Sequence, residues 1–122
     1  MTLACGVLWA QQKPPAKEQA PPEEDETAIP AKKIYAFNPL QAEKEVKTGE
    51  FYLKKGNYMA AANRFEEATK WNPKMAEAYF LLGEADEKLK DRKAAHDAWS
   101  KFLELAPEDR RAEEVKKKLA HH

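Results

Sequence analysis

The chain has 122 residues, which is room for one modest domain and not for two. Its hydrophobic fraction of 43% suits a folded protein, and its charged fraction of 34%, mixed in sign, suits solvent-facing helices. Lysine plus arginine equals aspartate plus glutamate at 21 each, so no overall basic field exists to hold nucleic acid or an anionic membrane. Nucleic-acid binding and membrane insertion by the folded domain are therefore not expected.

Residues 1–10 are apolar, and the chain becomes polar directly after them. They are too few to cross a bilayer, which takes about 20 residues. They resemble the apolar part of an export signal that ends at a small residue, Ala10, but the basic start is missing. We therefore predict a truncated export signal and an exported protein, periplasmic or associated with the cell envelope. Two alternatives stay open: a lipid anchor at Cys5, in a stretch similar to a lipoprotein box, and a cytoplasmic chain.

Residues 11–37 are rich in proline and acidic side chains and show no apolar period. Such a segment cannot bury enough surface to offset the entropy cost of ordering it, so a disordered linker is predicted. A recognition peptide is the alternative. At its end, Ile34, Tyr35 and Phe37 are expected to fold back onto the first helix. The folded domain is predicted to span residues 38–122.

Helix boundaries are marked along this domain by capping residues and prolines. Asn38 is a good N-cap, proline follows it, and Gln41 is placed to close a capping box. Asn57 caps a second helix, which is predicted to end before Pro73. The first two predicted helices therefore form one antiparallel pair.

Two further helices follow in the same way, with Asp91 as the cap of the fourth and Pro107 after its end. A fifth helix is predicted from about 108 to 120. One of its edges is charged, as a terminal capping helix requires. Its inner line holds three apolar residues: Ala112, Val115 and Leu119.

Several positions recur at a spacing of 34 residues. The recurring pairs are Gly49 and Gly83, Ala61 and Ala95, Phe65 and Trp99, and Pro73 and Pro107. This pattern, with Tyr52, resembles the tetratricopeptide repeat family, with repeats at 42–75 and 76–109 and a capping helix at 110–120. Asp86 replaces a tyrosine usual in that family, and Glu45 and Thr48 replace large apolar residues. The resemblance implies an all-α fold, a right-handed α-solenoid of two helix hairpins plus a solvating C-terminal helix.

The repeated positions are expected to be structural. Glycine lets the two helices of a unit cross closely, with Ala61 and Ala95 facing the glycines. Phe65 and Trp99 are expected to fill the groove between one unit and the next, and the prolines end each unit. Because Glu45 weakens the core of the first repeat, the segment that contains Tyr35 is expected to supply apolar cover.

In this family the concave face, lined by the first helix of each unit, generally holds a peptide or a partner's helix. By register, the residues of that face here are Glu43, Val46, Glu50, Leu53, Lys54, Glu77, Phe80, Glu84, Glu87, Lys88, Arg111 and Glu114. Phe80 is the best single anchor because it lies beside the core stripe, although burial against the neighbouring helix is the alternative interpretation.

The charge of the predicted groove indicates the kind of partner. Family members that grip a C-terminal carboxylate use basic and amide side chains at set positions. Those positions here are Val46, Glu50, Leu81, Arg111 and Val115, and only Arg111 is basic. A protein or peptide that carries lysine or arginine beside aliphatic residues is therefore the favoured partner.

Enzymatic chemistry is not predicted. The single cysteine excludes an internal disulfide and a cysteine-rich zinc site. His96 does not pair by helical spacing with His121 or His122, which are native or a tag remnant, so no metal, cofactor or catalytic site is expected. The predicted function is an adaptor or scaffold in the bacterial cell envelope. The alternative is a self-associating module that forms homo-oligomers, since two repeats fall below the three or so needed for stability.

Overall fold

The computed structural model describes residues 34–121 of the chain. In this range the protein is all-helical and contains no strand, which confirms the predicted all-α fold. The predicted export signal, the alternative lipid anchor at Cys5, most of the predicted linker and His122 lie outside the described residues. The helices are α1 Pro39–Lys54, α2 Tyr58–Trp71, α3 Ala76–Lys88, α4 Arg92–Leu105 and α5 Ala112–His121.

The helices pack as two hairpins that stack side by side. α1 packs on α2 and α3 packs on α4, while α2 joins the hairpins by packing on α3. α5 packs on α4 at the end of the stack. One continuous apolar core runs through both hairpins and reaches Val115 on α5. The arrangement is a helical repeat solenoid in which no hairpin buries its apolar face alone.

Side-chain caps set three of the helix starts. In each case a carboxylate or amide oxygen accepts a hydrogen bond from a backbone N–H that has no partner within the helix. The predicted caps are all formed: Asn38 to the amide of Gln41 at 3.0 Å, Asn57 to the amide of Ala60 at 3.1 Å, and Asp91 to the amide of Ala94 at 3.1 Å.

The predicted capping box at the first helix is not formed. The side-chain amide of Gln41 donates to Glu45 at 2.9 Å. The backbone N–H of Asn38, which the box would have satisfied, donates instead to the carbonyl of Trp71 at 2.9 Å. This bond joins the start of α1 to the end of α2, so a tertiary contact replaces the local one.

Each hairpin turn needs one residue in the left-handed backbone region. Gly56 takes that conformation in the first hairpin with a φ of 81°. Lys90, which is 34 positions later, takes it in the second with a φ of 65°. Glycine adopts this region without strain, whereas a residue with a Cβ pays about 1 kcal/mol or more. The second turn is therefore built less favourably than the first.

An aromatic ring covers the repeated glycine within each hairpin. A Cβ added to Gly49 would lie 2.5 Å from Cε1 of Phe65, and a Cβ on Gly83 would collide with the indole of Trp99. Both rings are fully buried. The ring of the same unit therefore occupies the space that the missing Cβ leaves. That Ala61 and Ala95 face the glycines, and that the rings also fill the groove between units, stay predictions. Both alanines are buried.

The fifth helix begins at Ala112, later than the predicted start near 108. Asp109 explains the delay, because its carboxylate accepts hydrogen bonds from the backbone amide of Arg111 at 2.8 Å and from its guanidinium at 3.0 Å. These local bonds favour a turn over a helix. Ala112 and Val115 are buried as predicted, and Leu119 packs against the core.

Among the described residues before α1, the side chain of Tyr35 packs on the domain. Tyr35 packs edge-to-face on Trp71 with 4.8 Å between ring centroids, and its hydroxyl donates to Glu67 at 2.6 Å. Ile34 and Phe37 are 94% and 71% exposed, so the expectation that they also fold back is wrong.

Glu45 is buried in the first hairpin, but its charge is compensated. The guanidinium of Arg64 on α2 lies 2.9 Å from one carboxylate oxygen, and Gln41 donates to the other. A buried charge is tolerated when it is paired and hydrogen-bonded. An ion pair between α1 and α2 thus compensates the charge of Glu45. That the segment containing Tyr35 supplies apolar cover to the first repeat stays a prediction.

Asp86 on α3 is the second buried acid, and it differs from Glu45. It is 7% exposed, and its carboxylate has no hydrogen bond or ion pair with any residue in the described range 34–121. Burial, followed by the nearby charges of Asp91 and Glu66, raises its pKa to about 6. The ionised form of Asp86 is therefore unfavourable in the folded protein.

We expect Asp86→Asn to raise the free energy of unfolding at pH 7 by about 1–3 kcal/mol, because it removes an ionised carboxylate from a buried place. The pKa is about 6 in the folded chain against an ordinary 3.8, so the folded state binds the proton more tightly. Wild-type stability should then rise as the pH falls from 7 to 4. Urea denaturation at several pH values measures both effects.

The matched control is Asp97→Asn, which neutralises an exposed aspartate paired with Lys93. Its effect should stay within about 0.5 kcal/mol. A variant at position 86 that is less stable than wild type at pH 7, or that keeps the wild-type pH slope, would contradict the unfavourable burial of Asp86.

Candidate functional site

The candidate site is a groove formed by side chains of α1, α3 and α5, the helices on which the predicted concave face lies. A cavity of about 260 Å³ opens in this groove. It brings together four of the predicted residues, Leu53, Glu84, Glu87 and Lys88, with Tyr58 of α2 and Lys118 of α5. The complete lining is Leu53, Tyr58, Glu84, Glu87, Lys88 and Lys118.

Phe80, the predicted anchor, is not open to a partner. It is 8% exposed, and its ring packs on Phe102 with 5.3 Å between centroids. The guanidinium carbon of Arg111 lies 4.4 Å from the Phe80 ring centroid and covers the ring. Val46 is also buried. The prediction that Phe80 and Val46 present side chains to a partner is therefore corrected, because both belong to the core.

Arg111 is held by acidic groups of its own chain. Its guanidinium donates to Glu77 on α3 at 2.8 Å and to Asp109 at 3.0 Å. These hydrogen bonds, that of Asp109 first, raise the pKa of Arg111. The same contact lowers the pKa of Asp109 to about 2. Both Arg111 and Glu77 are thus engaged in joining α3 to the capping end, and neither lines the cavity.

Lys118 and Glu87 form the second ion pair across the groove. The ammonium of Lys118 on α5 lies 3.1 Å from the carboxylate of Glu87, and 5.1 Å from the ring centroid of Trp99. This pair joins the capping helix to α3, although few backbone contacts exist between them. It also neutralises the only basic side chain that α5 contributes to the cavity lining.

Glu84 lies between these two ion pairs and takes part in neither. It is half-buried and forms no ion pair with a described residue. Burial raises its pKa, and the opposing positive charge of Lys118 lowers it only in part. Glu50, its counterpart 34 positions earlier on α1, is half-buried too. Glu84 is therefore a carboxylate in a partly dry groove that would gain from a cation.

Two residues of the cavity were not predicted as site residues. Lys118 follows Glu84 by 34 positions, so extending the repeat spacing into the capping helix would have found it. Tyr58 is the first residue of α2, and no pattern in the sequence indicates that its side chain reaches the groove.

The groove combines charged and apolar side chains. In the predicted concave line, six glutamates outnumber the lysine and arginine side chains. Among the described residues no group of three or more His, Cys, Asp or Glu side chains could hold a metal ion. None of the described helices has the length and apolar content of a membrane span.

Comparison with known protein families agrees with this architecture. A family model described as TPR repeat matches residues 49–90, from the glycine of α1 through α2 and α3 to the turn before α4. Together with the all-helical hairpin fold, this match supports the resemblance to the tetratricopeptide family. Tetratricopeptide repeats generally mediate protein–protein interactions. No curated protein matches the chain.

Proposed function

We propose that this chain is an adaptor that holds a peptide or helix of another protein in the groove. The observation that carries the proposal is the lining of the cavity of about 260 Å³, where an apolar wall faces a half-buried carboxylate. Leu53 and Tyr58 form the wall, and Glu84 supplies the carboxylate. This combination suits a lysine or arginine side chain next to an aliphatic one.

The charges of the groove favour a basic partner over an acidic one. Arg111 is already bound to Glu77 and Asp109, and Lys118 is bound to Glu87. An acidic peptide would have to break these pairs to reach the cations beside Glu84 and could otherwise reach only the exposed Lys88 in the lining, whereas a basic peptide finds Glu84 without an ion pair among the described residues. Because Arg111 covers the ring of Phe80, we propose Leu53 as the apolar contact for the partner.

Calorimetry with two designed peptides tests this function. One peptide alternates lysine with leucine, and the other carries glutamate in place of each lysine. We expect the basic peptide to bind at least tenfold more tightly, and its affinity to fall as salt is added. Glu84→Gln should weaken its binding three- to tenfold, because the variant removes the carboxylate but keeps the shape of the side chain.

Glu108→Gln is the matched control, since it removes the same charge from an exposed residue outside the cavity. Its affinity should equal that of the wild type. Equal binding of both peptides, or equal loss in both variants, would rule out a groove selective for basic partners.

We propose further that the adaptor works outside the cytoplasm, in the periplasm or at the cell envelope, after cleavage of an export signal or through a lipid anchor at Cys5. Support comes from the residues themselves: an apolar stretch at 1–10 with Ala10 at its end, then a proline-rich acidic spacer before the domain.

Self-association is the second candidate function. The observation that favours it is the exposure of Ile34, Phe37 and Leu40 at the start of the domain, which leaves large apolar side chains in solvent. Light scattering at several concentrations distinguishes the two: a stable dimer supports self-association, and a strict monomer supports the adaptor.

A further inference from the structure

A second cavity, here called the outer cavity, opens between α2, α3 and α4 and has a volume of about 230 Å³. Tyr79 and Asp86 of α3 line it together with Glu66 of α2 and with Asp97 and Ala98 of α4. By the helical period, Tyr79 and Asp86 lie on the side of α3 roughly opposite to Glu84. The outer cavity is therefore separate from the groove, and the proposed function does not use it.

The repeat spacing identifies what fills the corresponding place in the first hairpin. Ala98 is the counterpart of Arg64, and Tyr79 is the counterpart of Glu45, each 34 positions apart. In the first hairpin the Arg64 guanidinium extends from α2 and binds Glu45 at 2.9 Å. In the second hairpin alanine stands where that arginine would be. The chain itself thus supplies an arginine to one unit and leaves the space open in the other.

The second hairpin also carries its buried acid at a different repeat position from the first. Asp86 is the counterpart of Tyr52, whose large buried side chain takes up this position in the first hairpin. The shorter aspartate leaves space and brings a carboxylate that is 7% exposed and has no partner among the described residues. An unpaired buried charge of this kind is costly and is relieved by a cation that enters the site.

The other charged groups around Asp86 do not relieve it. Glu66 on α2, Asp91 at the turn and Asp97 on α4 are all acidic. Burial first, and then the charges of Asp91 and Glu66, raise the pKa of Asp86. Lys93 is bound to Asp97 at 2.9 Å with its side chain largely in solvent. Lys101 is bound to Glu104 at 2.9 Å.

We infer that the outer cavity accepts an arginine side chain of a partner protein, which takes the place that Arg64 fills in the first hairpin. Asp86 would accept hydrogen bonds from the guanidinium, and the ring of Tyr79 offers a flat face on which it can stack. Arginine is favoured over lysine because a planar guanidinium satisfies a carboxylate and an aromatic ring at the same time.

An arginine of this chain already makes such a combined contact at the C-terminal end of the domain. Arg111 lies on the ring of Phe80 while its guanidinium binds Glu77 and Asp109. The outer cavity contains a carboxylate and an aromatic ring, as that contact does, but the described chain supplies no arginine to it.

The test uses the full chain labelled with ¹⁵N and two small probes, acetyl-arginine-amide and acetyl-citrulline-amide. Citrulline has the shape of arginine without its charge. We expect the arginine probe to shift the amide signals of Leu82, Asp86 and Ala98 in a saturable way and to bind at least tenfold more tightly than the citrulline probe. Binding should strengthen between pH 5 and pH 7, as Asp86 loses its proton.

Two variants that each remove one negative charge distinguish binding of the probe at Asp86 from nonspecific attraction to acidic surface residues. Asp86→Asn should weaken the arginine probe at least fivefold, whereas Glu108→Gln, at an exposed position that lines neither cavity, should leave it unchanged. Ala98→Arg, which supplies the side chain from within, should abolish binding of the probe.

Three results would overturn the inference: equal binding of the citrulline probe, equal binding of an acetyl-lysine-amide probe, or unchanged affinity in the Asp86→Asn variant. Each can occur while the groove still binds basic peptides, because the cavity and the groove share no lining residue.

Discussion

Phe65→Ala is expected to lower the free energy of unfolding by about 3–5 kcal/mol. The Phe65 ring is fully buried and fills the space above Gly49, so alanine leaves a cavity that the rigid helix pair cannot close. A domain of this size has a total stability of about 5–15 kcal/mol, so the loss is a large part of it. Urea denaturation followed by circular dichroism measures the change.

The control for this prediction is Phe37→Ala, which makes the same substitution at a ring that is 71% exposed. Its effect should stay within about 0.5 kcal/mol. A melting temperature that drops by only a degree or two in the Phe65 variant would contradict the burial of that ring between α1 and α2.

The second large effect is expected at Gly83. Glycine inside a helix normally costs about 1 kcal/mol against alanine, so Gly83→Ala would stabilise an ordinary helix. Here the new methyl group would collide with the indole of Trp99, which is fully buried and cannot move away freely. We therefore expect the opposite sign, a loss of about 1–3 kcal/mol, as in other overpacked cores.

Ser100→Ala on α4 is the matched control, because it adds helix propensity at an exposed position. It should leave the free energy of unfolding unchanged or slightly raised. If Gly83→Ala were instead as stable as the wild type in thermal melts, the close approach of Trp99 to α3 would be wrong.

The helices could be predicted from the sequence because their ends depend on local chemistry. Asn38, Asn57 and Asp91 each bond to an amide three positions later, so the bond is visible in the spacing alone. The start of α5 is harder to predict from the sequence. The carboxylate of Asp109 accepts hydrogen bonds from the backbone amide and the guanidinium of Arg111, and these bonds compete with helix formation. Local signals thus decide the number of helices better than their limits.

The candidate site was predicted less well because it depends on contacts between distant positions. The helical register places Phe80 beside the groove, but Arg111, which is 31 positions later, lies over its ring. Whether that arginine extends into solvent or turns back to Glu77 depends on the position of α5, which no local pattern encodes. The cavity behind Asp86 depends in the same way on the loss of bulk at two positions, 86 and 98.

The contact between ring and glycine also bears on how such a chain can grow. Phe65 covers Gly49 and Trp99 covers Gly83, in each case within the same hairpin. Each hairpin therefore contains its own contact between ring and glycine. A copy of one hairpin inserted between positions 75 and 76 would keep its own contact between ring and glycine, and the same contacts in the two flanking hairpins would be unchanged. We therefore expect a chain with one added hairpin, and with α5 kept at its C-terminal end, to fold as a longer stack.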